Sequence, residues 1–393
     1  MIRGRQLVVG LAALVLAVTV VRNSAVNALV DVDPALAADF WSGHPAPEIN
    51  LGMMDIARAA RARTSASPEA FERIHDAARK APLAAEPFLV EGVQEQIAGY
   101  PMDAERAFLA AEWRDPRSLP AHYFLAGRFF RVRDAEGALK EVASLANLSP
   151  GGVGSSAPYL AAFARDRDNW PRMRALFRAN PQIEDATLIE LARDGANAPA
   201  ILALASPRQR KADSAWLPVL LNALVKAGEY REGRAIWASV SGIGADSRSL
   251  LFDSDFSRPK PPAPFNWALT SSTVGLAERQ PGGRLHVIFY GQEDGALVRQ
   301  LLVLAPGRYR LAMRLLGGST HADALNWTVT CTGGQNPLVN VRLDVAASRG
   351  VTFDVPSNCP AQSLELAGVS ADLPQPSEVT MSQLGLVRGS GNG

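Results

Sequence analysis

The chain has 393 residues, 47% hydrophobic and 20% charged, which places it among globular proteins of two or three domains and excludes global disorder. Its 40 Lys and Arg against 39 Asp and Glu leave a net charge of +1, so no nucleic-acid partner is expected. Two cysteines exclude a disulfide-rich scaffold and a cysteine-built zinc cluster.

Arg3 and Arg5 precede an uncharged run from Leu7 to Val21; Arg22 then interrupts it, and a mostly apolar stretch resumes to Val30. Positive charge followed by an apolar run marks residues 1–30 as a signal anchor or a signal peptide. An anchor needs the helix to extend over both flanks, with Arg22 snorkelling its guanidinium to the interface. A signal peptide would be cut after Ala28 or Ala37, where small residues precede the site. Arg22 sits badly between an apolar core and its cleavage site, which favours the uncleaved anchor; a buried core helix is the third reading. Either export reading puts the chain beyond about residue 30 outside the cytoplasm. Arg outnumbers Lys by 35 to 5, the usage of a GC-rich bacterial genome. The expected location is therefore the bacterial inner membrane, crossed once, with the bulk in the periplasm, or the periplasm itself after cleavage.

From Glu48 to Val240 the chain is Ala-rich, with apolar residues three and four apart, which predicts helix after helix over a domain at 48–245. The composition changes at the loop Ser241–Ser249, beyond which Val, Thr, Phe and Gly rise and short alternating runs predict a β domain at 250–388, followed by a flexible tail at 389–393. Four prolines within Pro259–Pro264 read as a loop after a first strand at Leu251–Phe256, with a true interdomain linker as the alternative.

Within the helical half, Pro82, Pro116 and Pro150 stand 34 residues apart. The same spacing aligns Ala70 with Ala104 and Ala138, Ile74 with Phe108 and Val142, and Ala77 with Ala111 and Leu145. Small, large and small residues at i, i+4 and i+7 share one face of a second helix, which the proline ends. This pattern resembles the tetratricopeptide repeat, whose unit is a helix hairpin of this period. Gly92 and Ala126 match the small position of the first helix; Arg58 falls in that column one unit earlier, so Leu51–Pro82 is expected to be an atypical cap. Beyond Pro150 the phase is lost, and Gly151-Gly152-Val153-Gly154 reads as a flexible break. Helical segments continue at Pro158–Arg165, Trp170–Ala179, Ala186–Arg193 and Pro199–Ala205, with a last repeat-like hairpin at Ser214–Ala227 and Arg231–Val240. The resemblance implies an α-solenoid whose concave groove holds a protein partner; a solenoid that only spaces domains apart is the alternative. Trp113, Trp170, Trp216 and Trp237 read as core or as groove residues.

In the C-terminal half, Arg284–Tyr290, Leu297–Leu304, Arg308–Leu315 and Leu325–Thr332 are strand candidates, with later ones at Val351–Val355, Ser363–Leu366 and Val379–Val387. Eight or nine strands fit a sandwich of two antiparallel sheets. Alternation puts Trp327 and Tyr309 on core faces. The stretch from Arg299-Gln300 through Pro306-Gly307-Arg308-Tyr309 resembles galactose-binding-like jelly rolls, a group that includes many carbohydrate-binding modules, and Phe256, Trp267 and Trp327 fit the same picture. That resemblance implies a polysaccharide ligand, with Trp267 and Tyr290 as stacking platforms and Arg308, Arg310 and Arg314 as partners of acidic sugars; a buried indole and a solvated polar face are the plainer readings. Cys331 and Cys359 are a disulfide in an oxidising compartment, worth roughly 3–4 kcal/mol if unstrained, or else two buried thiols. Asp253 and Asp255 could help hold a structural calcium, as in related jelly rolls, or simply end a turn.

Zincin, hydrolase-elbow and phosphate-loop motifs are absent from the sequence, and the five histidines (44, 75, 122, 286, 321) are scattered. No catalytic residue and no cofactor is therefore named. The expected protein is a membrane-anchored, non-catalytic scaffold that engages a protein through its solenoid and glycan through its sandwich, in envelope polysaccharide assembly or export. A pure protein scaffold and a glycan-processing enzyme are the rivals.

Overall fold

The structure is a computed structural model describing residues 2–62, 64–149, 151–244, 250–372 and 375–389. It is an α-solenoid followed by a β-sandwich in chain order, and its contacts divide it into two compact units, Met1–Ser156 and Ala157–Gly393.

The first unit opens with α1 (Ile2–Leu29). Its segment Val9–Leu29 has 21 residues and a mean hydropathy of 1.9, about 30 Å of helix and enough to cross a bilayer; a signal sequence has the same properties. Leu11, Leu14 and Leu16 are each more than 60% exposed, so the buried-core reading of this helix fails. Helix α2 (Pro34–Phe40) is started by Asp33, whose carboxylate accepts from Leu36 N at 3.0 Å, and folds back on α1 with Val26 and Ala37 fully buried. Arg22 donates to the Phe40 carbonyl at 3.1 and 3.2 Å and lies 4.9 Å from the Trp41 ring centroid. The charge is thus met by the chain's own carbonyl and ring face rather than by reaching outward alone.

Three helix hairpins follow: α3 (Pro45–Ala62) with α4 (Pro68–Lys80), α5 (Glu86–Ala98) with α6 (Pro101–Arg114), and α7 (Leu119–Arg131) with α8 (Ala135–Leu148). Starts are chemically marked: Ser67 caps α4, Asp134 caps α8, and proline occupies the first turn of α4, α5, α6 and α7. Of the columns read from the sequence, Ala70, Ile74, Ala77, Ala104, Phe108, Ala111, Ala138 and Val142 are 3% exposed or less, and Leu145 is half-buried. Pro82 and Pro116 lie just beyond the ends of α4 and α6, as the spacing required, while Pro150 falls outside the described residues. A Cβ on Gly92 would meet the Phe108 ring at 2.7 Å. In the first hairpin the same office falls to Gly52, where a Cβ would meet Ile74 at 2.6 Å. The first hairpin is therefore not marked by Arg58 but has its small residue six positions earlier.

Helix α9 (Gly152–Ala164) begins inside the expected glycine break, with Pro158 in its interior, so that stretch is helical rather than a flexible break. The division between the units falls within it. The second unit continues with α10 (Trp170–Ala179), α11 (Pro181–Leu191), α12 (Ala198–Leu204), α13 (Trp216–Ala227) and α14 (Tyr230–Val240). Part of the Ser241–Ser249 loop lies outside the described residues, as does all of the expected tail after Gly389.

The expected strand at Leu251–Phe256 is a run of turns instead, with Asp253 and Phe256 at φ of 49° and 52°. Among the described residues ten strands form the sandwich: β1 (Ala268–Leu269), β2 (Gly275–Gln280), β3 (Arg284–Phe289), β4 (Gly295–Leu302), β5 (Gly307–Leu315), β6 (Leu325–Cys331), β7 (Pro337–Arg342), β8 (Val351–Val355), β9 (Gln362–Gly368) and β10 (Ser377–Arg388). One helix, α15 (Leu343–Arg349), separates β7 from β8. The sheets run β1-β4-β9-β6-β7 and β2-β3-β10-β5-β8, antiparallel throughout. Their facing sides bury Leu285, Phe289, Trp327 and Tyr309, the last two on the faces that alternation assigned. Helix α14 is stapled to this domain by Trp237, whose indole N–H donates to the Pro262 carbonyl at 2.9 Å while its ring sits 4.9 Å from that of Phe252. Asn266 donates to the carbonyls of Arg258 and Pro261, so the proline-rich stretch is a bound loop.

Gly92→Val tests the close approach of α5 and α6. Overpacking at this point costs about 1–3 kcal/mol, and chemical denaturation of the full chain should show it, whereas Gly151→Val, with open space around it, should leave the midpoint nearly unchanged.

Candidate functional site

Helix α5 buries Pro87, Val90 and Gly92 against its neighbours. Its other face carries Leu89, Val93 and Ile97, spaced four residues apart and therefore in one line along the helix. Val93 is 49% exposed and Ile97 82% exposed. Met53 and Ile56 of α3 and Phe108 of α6 join this line to form an open, mainly apolar groove of about 790 Å³. The 34-residue columns identify the buried faces of the hairpins, and so they passed over this stripe; its own i, i+4, i+8 spacing was the available signal.

Beneath the hairpin surface lies a buried polar cluster. His122 on α7 is 2% exposed and Glu141 on α8 is 1% exposed, with Nδ1 and Oε2 2.5 Å apart. His122 Nε2 lies 3.0 Å from the Pro116 carbonyl, an obligate acceptor, so Nε2 donates there while Nδ1 faces the Glu141 carboxylate. The Glu141 carboxylate holds the imidazole's pKa above its ordinary value, with the Pro116 carbonyl and Glu112 adding to that and burial opposing it. Lys140 bridges Glu112 at 2.9 Å and Glu141 at 3.3 Å. Glu112, His122 and Glu141 bring three donor atoms within 4.8 Å of one another, which is metal-ligand spacing. Lys140 already bridges both carboxylates, and a metal would have to displace its ammonium. The cluster works as an internal staple joining α6, α7 and α8.

The residues expected to bind sugar do not converge. Trp267 is 4% exposed and donates its indole N–H to the Asp253 carbonyl at 2.9 Å; it is a core residue with no free face for a sugar ring. Tyr290 is 41% exposed, just past the end of β3. Arg308 forms a two-pronged pair with Asp354, and Arg310 donates to the Arg349 carbonyl. Arg314 is exposed on β5, level with Ser382 and hence with Arg284 at the opposite end of β3 from Tyr290. Six residues of strand put Tyr290 and Arg314 about 20 Å apart. Asp253 is buried and paired with Arg279 at 3.1 Å, so its carboxylate is committed internally, whereas Asp255 is exposed and accepts from Ser257 through one oxygen. Burial pushes the Asp253 carboxyl up, against the lowering pull of Arg258 N–H and Arg279. Cys331 and Cys359 are joined, with S–S of 2.06 Å. Trp216 and Trp237 are core residues, whereas Trp113 is 72% exposed on α6, outside the groove. His286 Nδ1 lies 3.1 Å from Thr380 Oγ1 and Nε2 3.7 Å from Glu378, partners invisible in sequence because they come from the neighbouring strand β10.

No family model matches the chain, and no curated protein matches it. Eighteen chains of solved structures match; one is the crystal structure of yeast Tom70, at 11% sequence identity and a TM-score of 0.25, covering 53% of this chain and 45% of that one. The chain therefore matches less than half the length of that neighbour, and a TM-score of this size supports no inference about fold or function.

The His122 staple carries a pH signature. A histidine whose folded pKa is raised stabilises the fold fully below the unfolded value of about 6.5, and the contribution is lost as pH climbs through the higher folded value. Denaturation midpoints of the full chain should fall above that point. Glu141→Gln should flatten this dependence and cost about 3–5 kcal/mol, because it breaks a buried pair.

Proposed function

We propose that the protein is a non-catalytic interaction scaffold that takes an amphipathic segment of a partner protein into the α3–α5 groove. The observation that carries this reading is the line Leu89–Val93–Ile97, half-buried at Leu89 and exposed at Val93 and Ile97, beside Met53 and Ile56. Exposed apolar surface gathered beside a groove is the kind of surface proteins use to recognise one another. An amphipathic helix with apolar side chains three and four apart would match the stripe.

Two further features support tethering outside the cytoplasm. Helix α1 holds its apolar side chains outward, as a bilayer would require, and the Cys331–Cys359 bridge suits an oxidising compartment. Anchoring would raise the local concentration of the partner at one membrane surface. A role in envelope polysaccharide assembly rests on the resemblance of the sandwich to sugar-binding modules, and the buried Trp267 and paired Arg308 lend it no support.

Ile97→Asp is the test. The side chain is exposed, so the melting temperature should stay within a degree or two, while affinity capture from the membranes of the native cell should lose a discrete protein partner held by the unaltered chain. Identical partner sets with and without the aspartate would refute the groove as the docking site.

A further inference from the structure

The second unit contains a cavity of about 580 Å³ between α10, α11 and the chain that follows α12. Four arginines line it: Arg174 and Arg178 from α10, and Arg208 and Arg210 from the loop. The single carboxylate in its wall, Glu184, is 2% exposed and already committed. Its two oxygens accept from Ser206 N at 2.6 Å and Ser206 Oγ at 3.1 Å. That bond ties the loop carrying Arg208 and Arg210 down onto the first turns of α11, and so fixes the rim.

Four positive charges against one negative leave three uncompensated on a single cavity. Arg174 donates to the Ala203 carbonyl at 3.2 Å and Arg210 to the Leu202 carbonyl at 2.7 Å, each through one nitrogen, which orients these guanidiniums and leaves further N–H groups free. Arg178 and Arg208 have no hydrogen bond and no ion pair among the described residues. Some exposed arginines on the chain do take a nearby acid, as Arg308 takes Asp354 and Arg342 takes Asp344. Here the chain gathers guanidiniums and provides no free counter-charge. Phe177, Leu204 and Pro181 supply an apolar floor.

We propose that this cavity binds a small polyanion bearing two or more phosphate or carboxylate groups. The planar guanidinium fork matches two oxygens of such a group at once, and four forks on one cavity suit several groups at once. The volume exceeds that of a single phosphate and is in the range of small-molecule sites. The site lies outside the protein-docking groove and does not depend on it.

Isothermal titration of the full chain in non-ionic micelles with inorganic tripolyphosphate, at about 0.15 M salt, tests the proposal. Saturable binding is expected, with at least about a tenfold loss of affinity in Arg178→Gln/Arg208→Gln and an unchanged melting temperature, since neither side chain has an internal partner. Arg172→Gln, on the same helix but outside the cavity, should bind as the unaltered chain does. Absence of saturable binding up to millimolar tripolyphosphate would overturn the proposal. So would an equal loss in the Arg172 variant, which would reveal bulk charge. Capture on phosphatidylglycerol vesicles without tripolyphosphate binding would replace the small ligand by a membrane surface, and equally refute it.

Discussion

The contact of a helix backbone with a large side chain, where no Cβ intervenes, sets the geometry of the N-terminal unit. Gly52 lies against Ile74 and Gly92 against Phe108. A glycine inside a helix costs about 1 kcal/mol relative to alanine, while burying an isoleucine or phenylalanine contributes about 1.5–3 kcal/mol, so the exchange favours close packing. With the hairpins held this tightly, the inner faces of α3 and α5 are spent on their neighbours, and Val93 and Ile97 at the outer end of the apolar line stay exposed. The same constraint that builds the hairpins therefore leaves the groove.

Polar groups fix what apolar packing leaves loose. In the first unit the His122–Glu141–Lys140–Glu112 cluster joins three helices at its centre, and Arg22 is met by the Phe40 carbonyl and the Trp41 ring at the end of the apolar helix. In the second unit Trp237 plays the joining part, with its N–H on Pro262 and its ring against Phe252 and Phe265. A helical segment and a sandwich are thereby one packed body, and the arginine cavity belongs to that body rather than to the repeats.

Much of the architecture was legible because it rests on local periodicity. The phase of Pro82 and Pro116 with the Ala104–Phe108–Ala111 column placed the hairpins, and alternation placed Trp327 and Tyr309 inside the sandwich. Local reading failed where tertiary contacts decide. Leu251–Phe256 has strand composition, yet Asp253 is drawn inward to Arg279 and Trp267, and the segment turns. Strands β2 and β7 are polar on one side and carry no long apolar run, so they were missed. The site residues were the least legible. Trp267 has the residue type of a sugar platform, but its exposure is set by the packing of Phe256 and Trp327 around it. The arginine cavity joins residues from three helices and a loop, and no spacing in the sequence announces it.

The central claim is that the α3–α5 groove is an open face occupied by another protein. Site-specific photocrosslinking in intact cells addresses it most directly, with a benzophenone side chain at Val93 in the groove and, as control, at exposed Glu72 on α4. A discrete protein adduct from position 93 and none from position 72 is the predicted result. No adduct from position 93, or the same adducts from both positions, would contradict it.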